Sequence, residues 1–489
     1  MDSQHDKPTR RFKKIDVIFL TVILIIALAL RLYKIDTPLA DWHSWRQVDT
    51  AAVARNFAQD DFNLLYPRYD DLSNVQSGFY NPEGYRFVEF PLYNAIFGAL
   101  YKYMPITPIE VYGRLTTVFF SLIIIAILYY LALHEHSRVA AVGAAIIYAT
   151  MPFFVYYSRV VLPETTALGF SFIALFLAYV WAHSKHKWAL GLIVLSCISA
   201  AISILIKPTV IFYFIPIAYV FFMKYRFRMI LKPTPYLYFV AALIPFILWR
   251  LWISKFPEGI PGFEWLLTDV NTFEGRKNVF FRPAFFRWIF HERILLLIMG
   301  GYAAVLPLLG ILEKSRKSLL IPFIGCGALT FLLVFQGGNV QHDYYQTTIL
   351  PALALLGGIG IARILHKRDH DQVYLFNILI VVFILGFSWA MSFYKIKDNY
   401  LYSEDLVNIG KIIETLTPTD AKVVTDRDGD TTLLFLSKRK GMPAVSDTLE
   451  NLKGRGMEYF YTNKTDVAKD VRKTYTPIFE NSNVFIFKL

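Results

Sequence analysis

One short stretch, residues 41–57, combines the carboxylates of Asp41 and Asp49 with His43, Arg46, a second arginine and two tryptophans. A carboxylate can accept a proton from an attacking hydroxyl or amine, and a guanidinium can bind a phosphate through paired hydrogen bonds. The pattern turns helical directly after Asp49, so we predict that Asp49 caps a helix or lies in its first turn. The alternative is an interfacial belt of tryptophan and arginine beside lipid headgroups.

Four further segments place polar residues at the ends of apolar runs. They contain Glu89, the pair Arg159 and Glu164, Lys207, and residues 341–345 with His342 and Asp343. Charges near a bilayer are costly and tend to mark a functional cavity. A lone ion pair would explain Arg159 and Glu164 by themselves, but five polar segments on one side favour a shared site. We expect Asp41, Asp49, Glu164 and His342 to line one outward-facing cavity.

The composition is that of a membrane protein. Of the 489 residues, 55% are hydrophobic, and the mean hydropathy is +0.42, above the range of soluble domains. The two cysteines, Cys197 and Cys326, both lie in apolar runs, which excludes a disulfide framework and a cysteine zinc site. The net charge of +12 is spread over short basic connections, which indicates membrane topology and no nucleic-acid partner.

Apolar runs predict about eleven transmembrane helices. The runs lie at residues 15–32, 113–133, 138–156, 164–182, 188–206, 208–223, 236–252, 292–311, 318–335, 347–365 and 373–393. Every second connection is short and basic, as is the N-terminus, so the positive-inside rule places the N-terminus in the cytoplasm. No small-residue cleavage site follows the first run, which indicates an uncleaved anchor. We therefore predict a multi-pass protein of the cytoplasmic membrane whose C-terminus lies outside.

Two outer connections, residues 34–112 and 253–291, are long enough to indicate function. Aromatic residues and arginines at 280–291 are typical of a helix lying in the membrane interface. The composition changes near residue 396, so residues 1–395 are predicted to form the membrane domain and residues 396–489 an extracytoplasmic domain.

The C-terminal segment alternates between two predicted strands and two predicted helices, which is typical of a small α/β domain. The strands are predicted at residues 423–424 and 459–461, and the helices at 405–416 and 465–475. The segment contains no glycine-rich phosphate loop and no nucleophile elbow, which favours a docking or acceptor-recognition module over a second catalytic centre.

The polar residues suit the transfer of a sugar from a lipid phosphate carrier to an acceptor. Cations at the membrane face can hold the phosphate, and aromatic rings can pack against a sugar or an isoprenoid chain. Because phosphate is a good leaving group, one protein base suffices. A single displacement then inverts the anomeric centre, as in inverting hydrolysis with an acceptor in place of water.

The same segments, in the same order, resemble the GT-C membrane glycosyltransferases, specifically the bacterial relatives of protein O-mannosyltransferases and of the lipid A aminoarabinose transferase. The resemblance covers residues 15–395 and rests on the motifs at 43–51, 89–93, 114–115, 159–164, 207–208 and 342–345. It implies an all-α polytopic GT-C fold, a polyprenyl-phosphate-linked sugar donor, an outward-facing active site and a catalytic carboxylate early in the first outer loop.

One departure from the family pattern decides the choice of base. Many members carry Asp-Glu where this chain has Arg46-Gln47, so a neighbouring carboxylate must act. Asp49 is the first candidate and Asp41 the second.

The resemblance also implies further site residues. The donor-side or phosphate-side residues are Arg46, Arg159, Lys207, His342 and Tyr345, and the cavity residues are His43, Glu89, Glu164 and Asp343. No metal site is predicted; the acidic residues could hold a divalent cation, but no ligand spacing demands one.

The sequence therefore predicts a glycosyltransferase acting on an extracytoplasmic lipid, glycan or protein acceptor. A transporter or flippase of a lipid-linked saccharide is the alternative from another class, although paired interrupted helices in corresponding halves are missing from the sequence. A ligase joining a lipid-linked glycan to an acceptor has the same topology and stays open.

The predicted topology can be tested by labelling in intact cells. Tags at the extreme C-terminus and within residues 34–112 should be labelled by membrane-impermeant reagents, because both are predicted to lie outside. A tag at Lys314, in a basic connection, should react only after the cells are permeabilised. Labelling at Lys314 from outside would contradict the topology.

Overall fold

The computed structural model describes residues 12–185, 188–262, 272, 282–314, 317–366 and 371–489. Most of the described chain before residue 397 is helical. The α-helices are α1 (Lys14–Leu32), α2 (Ser44–Gln59), α3 (Leu92–Tyr103), α4 (Ile109–Glu135), α5 (Arg138–Thr150), α6 (Pro152–Tyr157), α7 (Glu164–His183), α8 (Ala189–Ile206), α9 (Phe214–Tyr225), α10 (Pro233–Ile253), α11 (Pro283–Phe286), α12 (Val305–Ile311), α13 (Leu320–Val334), α14 (Gln336–Gln341), α15 (Leu350–Ile364) and α16 (Asp371–Ile396). A π-helix follows α11 at Arg287–Ile298, and 3-10 helices lie at Pro208–Tyr213, Arg226–Leu231, Pro257–Gly259, Tyr302–Ala304, Asp343–Ile349 and Lys397–Tyr400.

The described helices confirm a multi-pass membrane protein. Eight are long and apolar enough to cross a membrane, and a ninth span is formed if the helices Pro283–Ile298 and Tyr302–Ile311, bent by 114°, count as one. The shorter apolar helices α5 and α13 occupy the remaining two of the eleven predicted runs. The predicted interfacial helix at 280–291 is helical from Pro283 onward, and its first residues lie outside the described part of the chain.

The first outer connection contains α2 and α3, and its predicted helix boundary was wrong. We predicted that a helix begins after Asp49, but α2 begins at Ser44, with His43 before it at φ 56°. Asp49 therefore lies in the second turn and caps nothing. Periodicity missed the first turn because its buried residues are the polar Arg46 and Gln47 rather than apolar side chains.

Close helix contacts in the bundle depend on glycines of α15. A Cβ atom on Gly360 would lie 2.0 Å from the backbone oxygen of Leu306 in α12, and one on Gly358 would lie 2.4 Å from that of Ala140 in α5. Small residues permit such close approach of membrane helices, where packing and not hydrophobic exclusion drives association.

The C-terminal part forms the predicted small α/β domain. Its helices are α17 (Glu404–Leu416), α18 (Thr432–Leu436), α19 (Leu449–Gly454) and α20 (Thr465–Val471), and its strands are β1 (Lys422–Thr425), β2 (Lys440–Met442), β3 (Tyr459–Thr462), β4 (Thr476–Glu480) and β5 (Phe485–Lys488). The sheet has the order β2-β1-β3-β5-β4. β1 is parallel to β2 and β3, whereas β5 is antiparallel to β3 and β4.

The first outer connection docks on the edge strand of this sheet. Leu72 N donates to Gly441 O at 2.7 Å, and Gly441 N donates to Asp70 O at 2.9 Å, so the connection runs parallel to β2 and extends the sheet. This pairing covers a strand edge that would otherwise expose its backbone groups. On the other side of the interface, Arg55 of α2 donates to Phe435 O at 2.9 Å and lies 4.5 Å from the centroid of the Phe435 ring. The domain is therefore attached to the segment that carries Asp49.

The role of the glycine contacts can be tested with a matched pair of substitutions in the membrane helices. Gly360→Ala should lower the melting temperature of the purified protein in detergent, because the new methyl group meets backbone in α12; overpacking typically costs about 1–3 kcal/mol. Gly386→Ala in α16 is the control, since nothing lies within 4 Å of a Cβ atom there. Equal melting temperatures for the two variants would contradict the close packing of α12 and α15.

Candidate active site

Asp49 is a buried carboxylate held by two partners from outside its own helix. Its side chain is 1% exposed, and Oδ2 lies 2.9 Å from Nη2 of Arg86. Oδ1 accepts a hydrogen bond of 2.6 Å from Oγ1 of Thr431, in the C-terminal domain. Burial raises the pKa of Asp49 above its ordinary value, and Arg86 and the Thr431 hydroxyl oppose that rise. The result is a carboxylate that is a stronger base than one in water.

Glu89 joins two buried cations beside Asp49. Nη2 of Arg46 and Nζ of Lys207 both donate to Oε1 of Glu89, at 2.7 Å and 2.6 Å, and Nζ of Lys207 also lies 3.0 Å from Oε1 of Glu164. Burial acts to raise the pKa of Glu89, but Arg46 and Lys207 outweigh it and lower the pKa to about 2. Glu89 is therefore ionised at neutral pH.

Two members of this ion-pair network, Lys207 and Glu164, lie at the ends of helices. Lys207 follows directly after the last residue of α8. The next residue, Pro208, prevents α8 from continuing, because proline lacks the amide hydrogen and disfavours helical geometry in the residue before it. Glu164 is the first residue of α7, preceded by Pro163. A carboxylate in the first turn also interacts favourably with the positive end of the helix dipole.

A small cavity lies beside Asp49 and part of the ion-pair network. Its volume is about 20 Å³, and Asp49, Arg46, Glu89 and Arg86 are among the residues that line it. This volume suffices for roughly one water molecule. Of the four residues expected to share a cavity, only Asp49 lines this one; a cavity common to all four stays a prediction.

Asp41 belongs to a second cluster. Nε2 of Gln47 donates to Oδ1 of Asp41 at 2.7 Å, and Nη2 of Arg114 lies 3.5 Å from Oδ2. Burial raises the pKa of Asp41, with Arg114 and Arg159 opposing it. Arg159 donates to Lys34 O at 2.6 Å and thus contacts the start of the outer connection. The structure therefore groups Arg159 with Asp41.

The third group connects the first outer connection to residues 342–345. Nε2 of His43 lies 2.7 Å from Oδ1 of Asp343, and Nη1 of Arg293 in the π-helix lies 3.5 Å from Oδ2. The His342 ring lies 5.8 Å from the His43 ring, centroid to centroid. Burial and the neighbouring His43 lower the pKa of His342 to about 4, so at neutral pH this imidazole offers an N–H donor but no positive charge.

Tyr345 links this third group to the ion-pair network. Nζ of Lys207 lies 5.7 Å from the centroid of the Tyr345 ring, and the ring stacks on those of Tyr344 and His342 with centroid distances of 5.0 Å and 6.2 Å. The aromatic stack therefore extends from the cations around Glu89 toward His43.

Three residues at the site were missed by the sequence analysis: Arg86, Thr431 and Arg293. Arg86 lies between Tyr85 and Phe87 in a connection already expected to be functional, so a lone cation among aromatic residues was an available signal. Nothing in the local sequence of Thr431 pointed to Asp49, which is 382 residues away. Within the described residues, no group of three or more His, Cys, Asp or Glu side chains is arranged to hold a metal ion.

Known proteins share this architecture. Residues 109–252 match the family model for dolichyl-phosphate-mannose-protein mannosyltransferase. The structure of ArnT from Cupriavidus metallidurans bound to undecaprenyl phosphate matches with a TM-score of 0.68 at 14% identity, covering 96% of this chain and 98% of that one. The chain has the GT-C fold. The predicted resemblance to GT-C membrane glycosyltransferases is thereby confirmed.

A second GT-C structure is more distant. The archaeal oligosaccharyltransferase AglB from Archaeoglobus fulgidus, in complex with an inhibitory peptide and a dolichol-phosphate, has a TM-score of 0.58 at 11% identity, covering 97% of this chain and 74% of that chain. No curated protein matches the sequence.

The ion-pair network around Glu89 can be tested by thermal unfolding. Glu89→Gln should lower the stability by about 3–5 kcal/mol, the usual cost of removing one partner from a buried ion pair. Because the pKa of Glu89 is lowered from 4.5 to about 2, this stabilisation is complete above about pH 4.5 and is lost as the pH falls toward 2.

Glu83→Gln is the matched control in the same connection. Glu83 pairs with Arg68 at 2.6 Å, but both side chains are exposed, and exposed pairs contribute about 1 kcal/mol or less. If Glu89→Gln melts at the same temperature as Glu83→Gln, the network does not stabilise the site.

Proposed function

We propose that the protein transfers a sugar from a polyprenyl-phosphate-linked donor to an extracytoplasmic lipid, glycan or protein acceptor, with inversion at the anomeric carbon. The observation that carries the proposal is Asp49, a buried carboxylate that lines a cavity together with Arg46 and Glu89. A single displacement requires a base close to a phosphate-binding cation, and Asp49 and Arg46 both line this cavity.

Asp49 is assigned as the general base. Its burial raises the pKa, which increases its ability to remove the proton of an acceptor hydroxyl or amine as that atom attacks. Asp41 is similarly buried, but it is not among the residues that line this cavity. Asp41 is therefore the second candidate.

Arg46 and Lys207 are assigned to the donor phosphate. Both cations contact Glu89, and both can reorient part of their hydrogen bonding toward the developing phosphate charge. Tyr345 beside Lys207 supplies an aromatic face, and His342 supplies a neutral N–H donor. Arg159 lies with Asp41 and would act on the donor only if the donor extended to that cluster.

The cavity of about 20 Å³ holds an acceptor oxygen but not a sugar ring. Binding of a donor sugar in a reactive position therefore requires the cavity to widen. Loops that close over a site and exclude water are common in transferases, because they prevent hydrolysis of the donor.

Two similarities support a lipid-phosphate donor. ArnT carries undecaprenyl phosphate in the matching structure, and AglB carries a dolichol-phosphate and a peptide. By the same inference, the protein lies in the cytoplasmic membrane, with the C-terminal domain outside. A flippase would need a polar path through the membrane, whereas the polar clusters described here lie at the helix ends. A ligase would differ from a glycosyltransferase in the size of the donor that it accepts.

The assignment of Asp49 predicts a large loss of turnover on Asp49→Asn. The amide preserves the size of the side chain but cannot accept the proton, so transfer should fall by about 10²–10⁴-fold. The measurement uses purified, reconstituted protein, radiolabelled polyprenyl-phosphate sugars and an envelope extract as the source of acceptor.

Asp70→Asn separates catalysis from folding, because Asp70 forms a comparable buried ion pair with Arg55 of α2 outside the cavity. Asp70→Asn should lower the stability of the protein but retain turnover. Lys207→Ala should instead weaken the binding of the donor. If Asp49→Asn retains turnover, Asp49 is not the base.

A further inference from the structure

Within the described residues, Thr431 is the side chain of the C-terminal domain that donates a hydrogen bond to the Asp49 carboxylate. The hydroxyl is 2.6 Å from Oδ1 of Asp49, and Thr431 is 3% exposed. Thr431 directly precedes α18, where a threonine hydroxyl usually accepts a hydrogen bond from its own helix. Here the hydroxyl makes no such capping bond and donates to Asp49 instead.

The loop that carries Thr431 is fixed to its own domain. Oδ2 of Asp426 accepts from Oγ1 of Thr462 at 2.9 Å, and Oδ1 accepts from Nζ of Lys464 at 2.8 Å. Asp428 and Gly429 have φ values of 52° and 96°, so the chain turns back toward α2 at this point. Thr431 is therefore held by an anchored loop, and its position follows that of the domain.

We propose that Thr431 is a positioning residue of the transfer reaction, through which the C-terminal domain aligns the Asp49 carboxylate and keeps it ionised. This inference rests on the proposed function of Asp49. It assigns to the outer domain a part in the chemistry of the membrane domain, beyond docking.

The geometry around Asp49 explains how one hydroxyl can have this effect. Thr431 holds one carboxylate oxygen and Arg86 approaches the other, which fixes the plane of the group and the direction of its remaining lone pairs. A hydrogen bond donated to the carboxylate favours its charged form. The ionised carboxylate is the form that accepts a proton from the acceptor.

Other titratable groups also face Asp49 and affect its ionisation. They are Arg46 on the same helix, Arg86, Tyr69 and Asp71 in the first outer connection, and Asp430 in the C-terminal domain. The two cations favour the ionised carboxylate and the two acids oppose it. Thr431 is neutral, so its replacement changes one hydrogen bond without changing the net charge of the site.

Docking of the domain does not depend on Thr431 alone. Lys440 pairs with Asp60 at 2.8 Å, Thr432 Oγ1 donates to Ser44 Oγ at 3.1 Å, and β2 pairs with the first outer connection through two backbone hydrogen bonds. Loss of the Thr431 hydroxyl should therefore leave the interface intact.

The test is the pH dependence of kcat/KM for Thr431→Val, measured in full-length reconstituted protein. Valine keeps the shape but removes the donor, so the Asp49 carboxylate should become protonated at higher pH. The acid limb of the profile should shift upward by about one pH unit, the size expected for losing a hydrogen bond to a charged group. Turnover should recover toward wild type at alkaline pH, and Thr431→Ser should restore the original profile.

Thr432→Val is the matched control, because it removes a hydroxyl from the same loop that contacts Ser44 of α2 and Asp430 but does not contact Asp49. It should shift the acid limb by much less than Thr431→Val does. An equal loss of rate at every pH in Thr431→Val, or an equal shift in Thr432→Val, would overturn the inference. If either result is found while Asp49→Asn is inactive, only the role of Thr431 is refuted and the proposed function is unaffected. If Asp49→Asn is active, Asp49 is not the base, and the proposed function itself loses its assigned base.

Discussion

The Asp49 carboxylate is almost completely removed from water, and its burial depends on contacts from two other parts of the chain. A buried charge is stable only when it is paired and hydrogen-bonded. Arg86 supplies the charge and Thr431 the hydrogen bond, and the two come from different parts of the chain. The first outer connection and the C-terminal domain must therefore both be in place before α2 can be buried as it is.

The same burial separates the two candidate bases. Asp41 and Asp49 lie eight positions apart and both have raised pKa values because of burial. Asp41 is held by Gln47 and Arg114, whereas Asp49 is held by Arg86 and Thr431 and lines a small cavity. Two carboxylates of one segment can thus have different roles, because the neighbours and not the residue type decide the role.

The sequence predicts those features that depend on local composition. Hydropathy located the membrane helices, and the β-rich runs around Val423 and Phe460 located the two parallel strands β1 and β3. The start of α2 was missed because its first turn buries Arg46 and Gln47, whose partners are distant in sequence. For the same reason Arg86 and Thr431 were missed: no periodicity records a contact between segments that meet only after folding. In the structure, the residues predicted from the family motifs lie in three neighbouring clusters.

The strand-like pairing of residues 70–72 with β2 has a consequence for the biogenesis of the protein. The first outer connection is synthesised long before its partner strand, and Thr431 follows Asp49 by 382 residues. At a synthesis rate of about 5–20 residues per second, the connection waits roughly 20–75 s with its edge unpaired and Asp49 still hydrated. The contact between Thr431 and Asp49 is thus formed last, after the predicted membrane helices have been synthesised, so an unfinished chain lacks it.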